Sequence, residues 1–390
     1  MSIPKNHHYV PQGLLRYFTF DDKRVYIYDK HRHESFRNSI SKVGSEEYFN
    51  SFYGKNGERV IYEKVFDSID GDYATLTRKI IENENLSCLS PKELSQLADC
   101  VAAQFIRTKL YRESLASLNQ QLGEWIQGMG IPTDAVKNYK KYSENDVRFE
   151  SFLRILGITP ISQILQQKII ALIVNFSNCP FVISDHPVVF SNPFPYGRRG
   201  FDEPGNITYL PLSPKFTLAY FCQSYSNGVQ SAWKEAPKGM EEGLNLLQYL
   251  QAFRFIYSQN DYSQKAREFA SLSASSYSSP PQRLFHLGMD SNYSCMPDGE
   301  HIVLYCVNKK HFMLKRTDVV NNMKCWNFNT RDINTLRQVE KNFPIESAMI
   351  FDGTQQRGEM RRIKMSIAYG EDQAEVSICN DFNFGSISPQ

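Results

Sequence analysis

The sequence predicts a mixed α+β fold, in which a central sheet carries an inserted helical segment and a small β-rich domain follows. Two periodicities support this prediction. Residues 24–29 alternate with a period of two and are rich in β-branched and aromatic side chains, as strands are. Residues 169–176 and 181–183 are short, continuous apolar runs that are typical of buried strands. Between these strand patterns, apolar side chains recur at helical spacing.

The inserted segment contains two helix patterns. Residues 58–81 have a broken apolar stripe, which predicts one continuous helix with Glu63 on its surface. The run Ser90-Pro91-Lys92-Glu93 predicts the start of the next helix, because serine caps it, proline fits its first turn and glutamate completes a capping box. At spacings of three and four, Gln104, Arg107 and Tyr111 should then share one face of this helix.

A stretch rich in serine and proline, residues 271–281, interrupts the chain late in the sequence. We assign residues 1–270 to an α+β domain with an N-terminal arm, 271–282 to a linker and 283–390 to a β-rich C-terminal domain. Basic residues cluster in that last part, among them Arg361, Arg362 and Lys364. They are candidates to follow the phosphate backbone of a nucleic acid, although a solvated face is the commoner meaning of such clusters.

Composition excludes several classes. The chain has 390 residues with 41% hydrophobic and 13% aromatic content, which argues against disorder. Its eight cysteines form no Cys-x-x-Cys pair, so neither a zinc ribbon nor a disulfide scaffold is indicated. We find no apolar run long enough to cross a membrane and no signal peptide, and we expect a soluble, cytoplasmic protein. Walker A, dinucleotide-binding, serine-hydrolase and His-Glu-x-x-His motifs are absent.

The segment Asn6-His7-His8-Tyr9-Val10-Pro11-Gln12 is unusual for a chain terminus, and we interpret it as an arm packed into a site. Neutral imidazole binds metals and moves protons near neutral pH. Because neighbouring side chains in an extended segment point to opposite faces, one histidine can face a pocket while the other takes a supporting role. A purely structural role, with both imidazoles as buried hydrogen-bonding groups, stays open.

Four stretches carry a resemblance to a known family. They are His7 to Gln12, Gln104-Phe105-Ile106-Arg107-Thr108, Phe181 to Val188, and Pro211-Leu212-Ser213-Pro214. In this order they resemble an uncharacterised bacterial family, catalogued as domain of unknown function 4238, over roughly residues 5–260. The resemblance implies a bacterial protein, with some relatives encoded in prophage and phage-satellite loci that defend against other phages. It implies no known reaction.

Asp185 follows a predicted buried strand, and polar residues at strand ends often form sites in α/β folds. We expect His7 or His8 to converge with Asp185 around a divalent metal ion such as Mg or Mn, with Glu63 as a further candidate ligand. Replacement of Asp185 by asparagine should then abolish activity and preserve the fold. The alternative is that Asp185 caps a turn before proline.

Four further residues are candidates for contact with substrate or for structural roles. Arg107 could hold a phosphate with its planar fork or form a buried salt bridge. Gln12 and Gln104 are candidate substrate-binding residues. Arg254 stands among apolar residues as either a site cation or a structural partner for an acid.

The leading interpretation is an anti-phage defence effector that cuts DNA or RNA as a metal-dependent nuclease. An alternative from another class is a sensor or binding module without catalysis, which recognises a phage protein or a nucleotide as its trigger. A third interpretation is a metal-independent nucleotide hydrolase or transferase with histidine as the base. Metal analysis separates the first from the others.

Overall fold

A computed structural model describes residues 5–191, 200–202, 206–221, 234–235 and 239–276, together with six strands between residues 301 and 379. The chain divides into two compact units. One comprises Met1–Ser191, Thr208–Tyr220 and Ser231–Asn292, and the other comprises Asn192–Ile207, Phe221–Gln230 and Tyr293–Gln390. The predicted boundaries at 270 and 283 stay a prediction.

Most of the described helices lie in the segment between the first strands and the central sheet, while one short helix precedes this segment and two follow it. They are α1 Gln12–Leu15, α2 Val65–Asn83, α3 Pro91–Ile106, α4 Lys109–Gly128, α5 Glu144–Leu156, α6 Thr159–Gln166, α7 Met240–Gln251 and α8 Ser263–Ser276, with short 3-10 turns at Arg16–Phe18 and Thr133–Ala135. Helix α8 extends into the predicted linker, so the first residues of that linker are helical.

The strands of the first unit form small sheets around these helices. They are β1 Asn6–His8, β2 Arg24–Asp29, β3 Glu34–Ser39, β4 Ser45–Glu47, β5 Ser51–Tyr53, β6 Arg59–Ile61, β7 Ile169–Val174, β8 Ile183–Ser184, β9 Val189–Ser191, β10 Ile207–Pro211, β11 Phe216–Phe221, β12 Lys234–Glu235 and β13 Phe255–Ser258. One sheet has the order β3-β2-β13-β8, and another has the order β12-β7-β11-β10-β9. The strand predicted at residues 24–29 is confirmed. The run at 169–176 is a strand from Ile169 to Val174, and of the run at 181–183 only Ile183 belongs to a strand.

Six strands are described in the second unit: β14 His301–Cys306, β15 His311–Lys315, β16 Ile345–Ile350, β17 Glu359–Arg361, β18 Lys364–Tyr369 and β19 Ala374–Cys379. Strands β14 to β17 form an antiparallel sheet, and β18 pairs with β19. The fold is thus mixed α+β, as the sequence predicts. In the part of the chain that the structure describes, no helix is both long and apolar enough to cross a membrane.

The four-stranded sheet β3-β2-β13-β8 positions the candidate site. Strand β13 pairs antiparallel with both β2 and β8, so it brings Arg254 and Asp185 to the same end of the sheet. Behind the sheet, helices α7 and α8 close a core that includes Tyr28, Val182 and Ile256. Burial of side chains of this size contributes about 2 kcal/mol each, which fixes the strand ends relative to the helices.

Two helix predictions need correction. Residues 58–81 are not one helix, because β6 occupies Arg59–Ile61 and α2 begins at Val65. Glu63 therefore lies before the helix rather than on its surface. The capping box of Ser90 and Glu93 is present as predicted, but α3 ends at Ile106. Thr108 caps a new helix, so Gln104, Arg107 and Tyr111 do not share one helix face.

Gly44 makes a close backbone contact with the N-terminal arm. Its φ of +62° lies in the left-handed region, and a Cβ atom placed on it would lie 2.9 Å from the Val10 Cβ and 3.2 Å from the Val10 carbonyl oxygen. Both features favour glycine, because a side chain would be strained and would displace the arm. By contrast, Gly71 lies in α2, and a Cβ atom added there would have no neighbouring atom within 4 Å.

We predict that Gly44→Ala lowers the free energy of unfolding by about 2 kcal/mol, from left-handed backbone strain and the contact with Val10. Gly71→Ala is the matched control, which should raise stability by about 0.5–1 kcal/mol because alanine favours a helix interior. Urea denaturation measures both. Equal stability of the Gly44→Ala variant and the wild-type protein would show that the arm tolerates a side chain there.

Candidate site at the N-terminal arm

The N-terminal arm is docked on the body of the first unit by backbone hydrogen bonds. Strand β1 pairs antiparallel with β4, and the N–H groups of Tyr9 and Val10 both donate to the Gly44 carbonyl oxygen, at 2.8 and 3.0 Å. Tyr9 is 4% exposed and Val10 is fully buried. The arm is therefore part of the folded core, as the sequence predicts.

Two side chains from the end of α3 hold the arm from the other side. The Gln104 Nε2 atom donates to the Tyr9 carbonyl oxygen at 3.0 Å, and Arg107 Nη2 donates to the His8 carbonyl oxygen at 2.9 Å. The Arg107 fork also binds both carboxylate oxygens of Asp70, at 2.5 and 3.1 Å, and stacks on the Phe66 ring. Because this fork is occupied, the geometry favours the salt-bridge role of Arg107 over phosphate binding.

His7 and Glu63 are also engaged in holding the arm. His7 is fully buried, and its Nδ1 atom accepts the Asn50 N–H at 3.0 Å. One oxygen of Glu63 accepts the His8 N–H at 3.3 Å, while the other accepts the Asn50 side-chain amide at 2.5 Å. The His7 Nδ1 atom and both Glu63 oxygens therefore already accept hydrogen bonds within the protein. A metal ion that bound to these atoms would have to displace those hydrogen bonds.

His8 differs from His7, as expected for neighbours on opposite faces of a strand. Burial, and secondarily the charge of Arg107, lowers the pKa of His8, whereas a hydrogen bond to the Ile40 backbone raises it. Its Nε2 atom is buried and has no hydrogen-bond partner among the described residues. The lowered pKa favours the neutral form of the His8 imidazole near neutral pH.

Asp185 acts as a clamp between β8 and β13. Its Oδ1 atom accepts the Phe253 N–H at 2.8 Å, and its Oδ2 atom accepts the N–H groups of Arg254 and Phe255 at 2.8 and 2.9 Å. Burial raises the pKa of Asp185 to about 6, although these N–H donors and the charge of Lys30 lower it. The alternative drawn from the sequence is a cap of the turn before proline, but all three donors belong to residues 253–255, so Asp185 instead ties the end of β8 to the start of β13.

The expectation that Asp185→Asn preserves the fold is not supported by this geometry. An asparagine amide would direct its own N–H groups at a backbone N–H donor, because both carboxylate oxygens of Asp185 accept hydrogen bonds. Among the arm residues, Tyr9 is influenced by the charge of Asp185. Burial, then the charge of Asp185, raises the pKa of Tyr9.

His186 and Thr108 join two of the motifs in the interior. The His186 Nδ1 atom lies 2.7 Å from the Thr108 Oγ1 atom, and the His186 ring packs against Phe105. Burial lowers the pKa of His186 to about 3, so this imidazole is neutral. The motifs around residues 7–12, 104–108 and 181–188 thus contact one another, although the sequence separates them widely.

The remaining candidates have different positions. Arg254 forms a two-oxygen ion pair with Asp29, with distances of 2.6 to 3.0 Å, which is the structural role considered above. Gln12 begins α1 and is half-buried. Arg361 and Lys364 lie on β17 and β18, but their side chains, like all of Arg362, lie outside the described residues. Among the described residues, no group of three or more His, Cys, Asp or Glu could hold a metal ion.

A cleft opens where the arm meets the sheet. Its volume is about 160 Å³, and its lining combines aromatic, apolar and a few polar side chains: Tyr9, Ile27, Phe36, Asn38, Lys42, Val43, Gly44, Ser45, Phe255 and Tyr257. Register explains this lining, because Phe36, Ile27 and Tyr257 are paired across three strands and share one face of the sheet. Tyr9 and the residues after β3 form the opposing wall.

Sequence reasoning misses the cleft and two residues that shape the site. Asp70 stands seven residues from Glu63, which suggests a second carboxylate for a metal, and nothing local marks it as the partner of Arg107. Gly44 carries no signal in the sequence beyond being a glycine. Tyr9 is recognisable as an aromatic in the arm, but its role in the cleft depends on contacts with β13 that no local pattern contains.

The fold and site define an α+β protein whose N-terminal arm is built into its core beside an aromatic cleft. The chain matches a family model described as protein of unknown function (DUF4238) over residues 6–262. It therefore belongs to this family, as its motifs suggested. No curated protein and no solved structure matches the chain.

We predict that Asp185→Asn lowers the free energy of unfolding by about 1–3 kcal/mol, because a buried backbone donor loses its acceptor. Asp134→Asn is the matched control at an exposed position, with an expected change within about 0.5 kcal/mol. Chemical denaturation of both variants measures the difference. If the two variants were equally stable, Asp185 would not clamp β8 to β13.

Proposed function

We propose that this protein is a recognition module of bacterial anti-phage defence, and that its cleft binds one side chain of a phage component that acts as the trigger. The cleft is the observation that carries this proposal. Its wall includes Tyr9 from the family's opening motif, so binding there is coupled to the docked arm. The context of phage defence is what the family resemblance implies, since the matched family model itself describes a protein of unknown function.

The size of the cleft favours a single ring or apolar side chain over a whole nucleotide. Pockets for drug-sized ligands enclose about 300–1,000 Å³, whereas this cleft has a volume of about 160 Å³. Among the described residues that line the cleft, Lys42 is the one cation, which is little charge for a nucleotide's phosphates. Aromatic anchors held in small pockets are typical of protein recognition.

A metal-dependent nuclease receives less support from the described site. His7 and Glu63 already accept protein hydrogen bonds, and Asp185 accepts three from backbone N–H groups. A second candidate rests on one observation, which is that the buried Nε2 atom of His8 has no hydrogen-bond partner among the described residues. This candidate is metal-independent hydrolysis or transfer of a nucleotide-derived group, with His8 as the base.

The cleft can be tested at Phe36, whose side chain is 40% exposed and is therefore removable with little effect on folding. We predict that Phe36→Ala weakens binding of the trigger by about 10–30-fold, as loss of an aromatic anchor does. Bacteria that express the variant should lose protection against phages that the wild-type protein restricts, as measured by plating efficiency.

Phe176→Ala is the matched control, because Phe176 is an exposed phenylalanine outside the cleft lining. It should protect cells as well as the wild-type protein does. Full protection by the Phe36→Ala variant at equal expression would remove the cleft from the mechanism. Failure of the wild-type protein to restrict any phage in a broad panel would contradict the defence role itself.

Metal dependence is tested on the purified protein. Saturation of a site at 100 times its dissociation constant would stabilise the fold by about 2.7 kcal/mol. For a recognition module, we predict no change in melting temperature with Mg or Mn and no cleavage of DNA or RNA. A metal-induced rise in melting temperature together with cleavage would instead favour the metal-dependent nuclease. Cleavage without metal that is lost in His8→Gln would instead favour the second candidate.

A further inference from the structure

Strand β3 is the outer strand of the four-stranded sheet in the described part of the chain. All its register pairs are with β2, and the sheet order begins at β3. An outer strand presents a row of backbone N–H and C=O groups to which another strand can bind. The cleft lies on one face of this same strand, since Phe36 and Asn38 both belong to its lining.

The backbone groups on the outer edge of β3 can be assigned from one hydrogen bond. The Ile40 N–H donates inward to the Lys23 carbonyl oxygen at 2.9 Å, in register with the β2–β3 ladder. Because inward and outward groups alternate along an antiparallel strand, the N–H groups of Ser39 and Arg37 point outward. The Ser39 N–H is bonded to the Asn38 side chain at 2.8 Å, which leaves the Arg37 N–H as a donor on this edge.

The side chains beside this edge set the chemistry of an added strand. Phe36 continues the row of paired residues that crosses the sheet, so a strand next to β3 would place an apolar side chain beside Phe36 at the cleft. Arg37 points to the other face, where its guanidinium lies over the rings of Tyr26 and Phe20. An aromatic platform of this kind holds the cation in place without neutralising it.

Charge favours an acidic partner. Glu34, at the start of β3, is paired with Arg32 at 3.4 Å. Arg37 and Lys42 are exposed, and neither has a salt bridge to a carboxylate of the described residues. Lys42 lies in the cleft lining on one face of the sheet, and Arg37 lies on the opposite face. Acidic side chains of an extended segment bound along β3 could therefore meet a cation on either face.

We propose that β3 binds an extended, acidic peptide segment of the partner as an additional strand, with one apolar or aromatic side chain in the cleft. This inference rests on the proposed recognition function and specifies its partner. Main-chain hydrogen bonds to the outer edge of β3, including the Arg37 N–H, supply affinity. The cleft and the cations Arg37 and Lys42 supply specificity, as side-chain pockets do in other cases of strand addition.

The test begins with the purified full-length protein and a bead-displayed library of capped random heptapeptides. We expect enriched peptides to carry an apolar or aromatic residue with acidic residues nearby. Fluorescence anisotropy with the strongest peptide then compares three variants. Arg37→Pro removes the outward N–H without touching the β2 ladder. Arg37→Ala removes the guanidinium, with its charge and its contacts to Tyr26 and Phe20, but keeps the N–H. Phe36→Ala removes the cleft contact.

Arg37→Pro should weaken peptide binding by about tenfold or more, and Arg37→Ala by a smaller factor, because the alanine variant keeps the backbone donor. A second test leaves the protein unchanged and measures binding of the same peptide after N-methylation at alternate residues, which removes the peptide N–H donors at those positions. Methylation should abolish binding at the positions that face β3 and leave it intact at the others. The proline variant is compared only if its melting curve remains cooperative.

The outcomes separate this inference from the proposed function. If no peptide is enriched, or if neither Arg37→Pro nor any N-methylation weakens binding, the strand addition is wrong. In that case, loss of binding or of phage protection in Phe36→Ala would still support a recognition cleft that takes another ligand. Unchanged binding and unchanged protection in Phe36→Ala would contradict both.

Discussion

The arrangement of the N-terminal arm depends on the buried guanidinium of Arg107. A buried charge is destabilising by several kcal/mol unless it is paired and hydrogen-bonded. Here the fork binds Asp70 through two hydrogen bonds and the His8 carbonyl oxygen through a third. These partners come from α2 and from the arm, so correct burial of Arg107 requires both to be in place. The charge thus makes the position of the arm a condition of folding.

The family motifs acquire a physical meaning from this arrangement. Gln104 and Arg107 bind arm carbonyls, Thr108 contacts His186, and Asp185 fixes the end of β13. The motifs look catalytic in the sequence because they combine polar side chains with otherwise apolar surroundings. In the structure, most of their polar atoms bind one another or the backbone. Their shared result is a rigid junction between the arm and the sheet, and the cleft forms at that junction.

Local patterns predicted the elements, the capping box at Ser90 and the packed arm, because each depends on neighbouring residues. They failed where a short strand or a helix break interrupts an apolar stripe, as before Val65 and after Ile106. Apolar spacing cannot distinguish one helix from a strand followed by a helix. The partners of Arg107 and Asp185 were also beyond prediction, because those contacts join residues that are distant in sequence.

The roles expected of individual polar residues show the same limit. Arginine and aspartate side chains can each take a catalytic or a structural role. The partners of Arg107 and Asp185 in the folded protein determine which role each one has. Arg107 meets a carboxylate, and Asp185 meets backbone N–H groups. The cleft could not be predicted at all, since it depends on which face of β3 lies opposite Tyr9. Register and tertiary contact, rather than composition, determine that face.

Amide hydrogen exchange at Tyr9 and Val10 tests the central claim most directly. If the arm is part of the cooperative core, both amides should exchange only on global unfolding, with a protection free energy close to that of the whole unit. Their hydrogen bonds to Gly44 and their burial predict this result. Exchange at the rate of an unstructured terminus would contradict it, because the arm would then separate from the body without unfolding it.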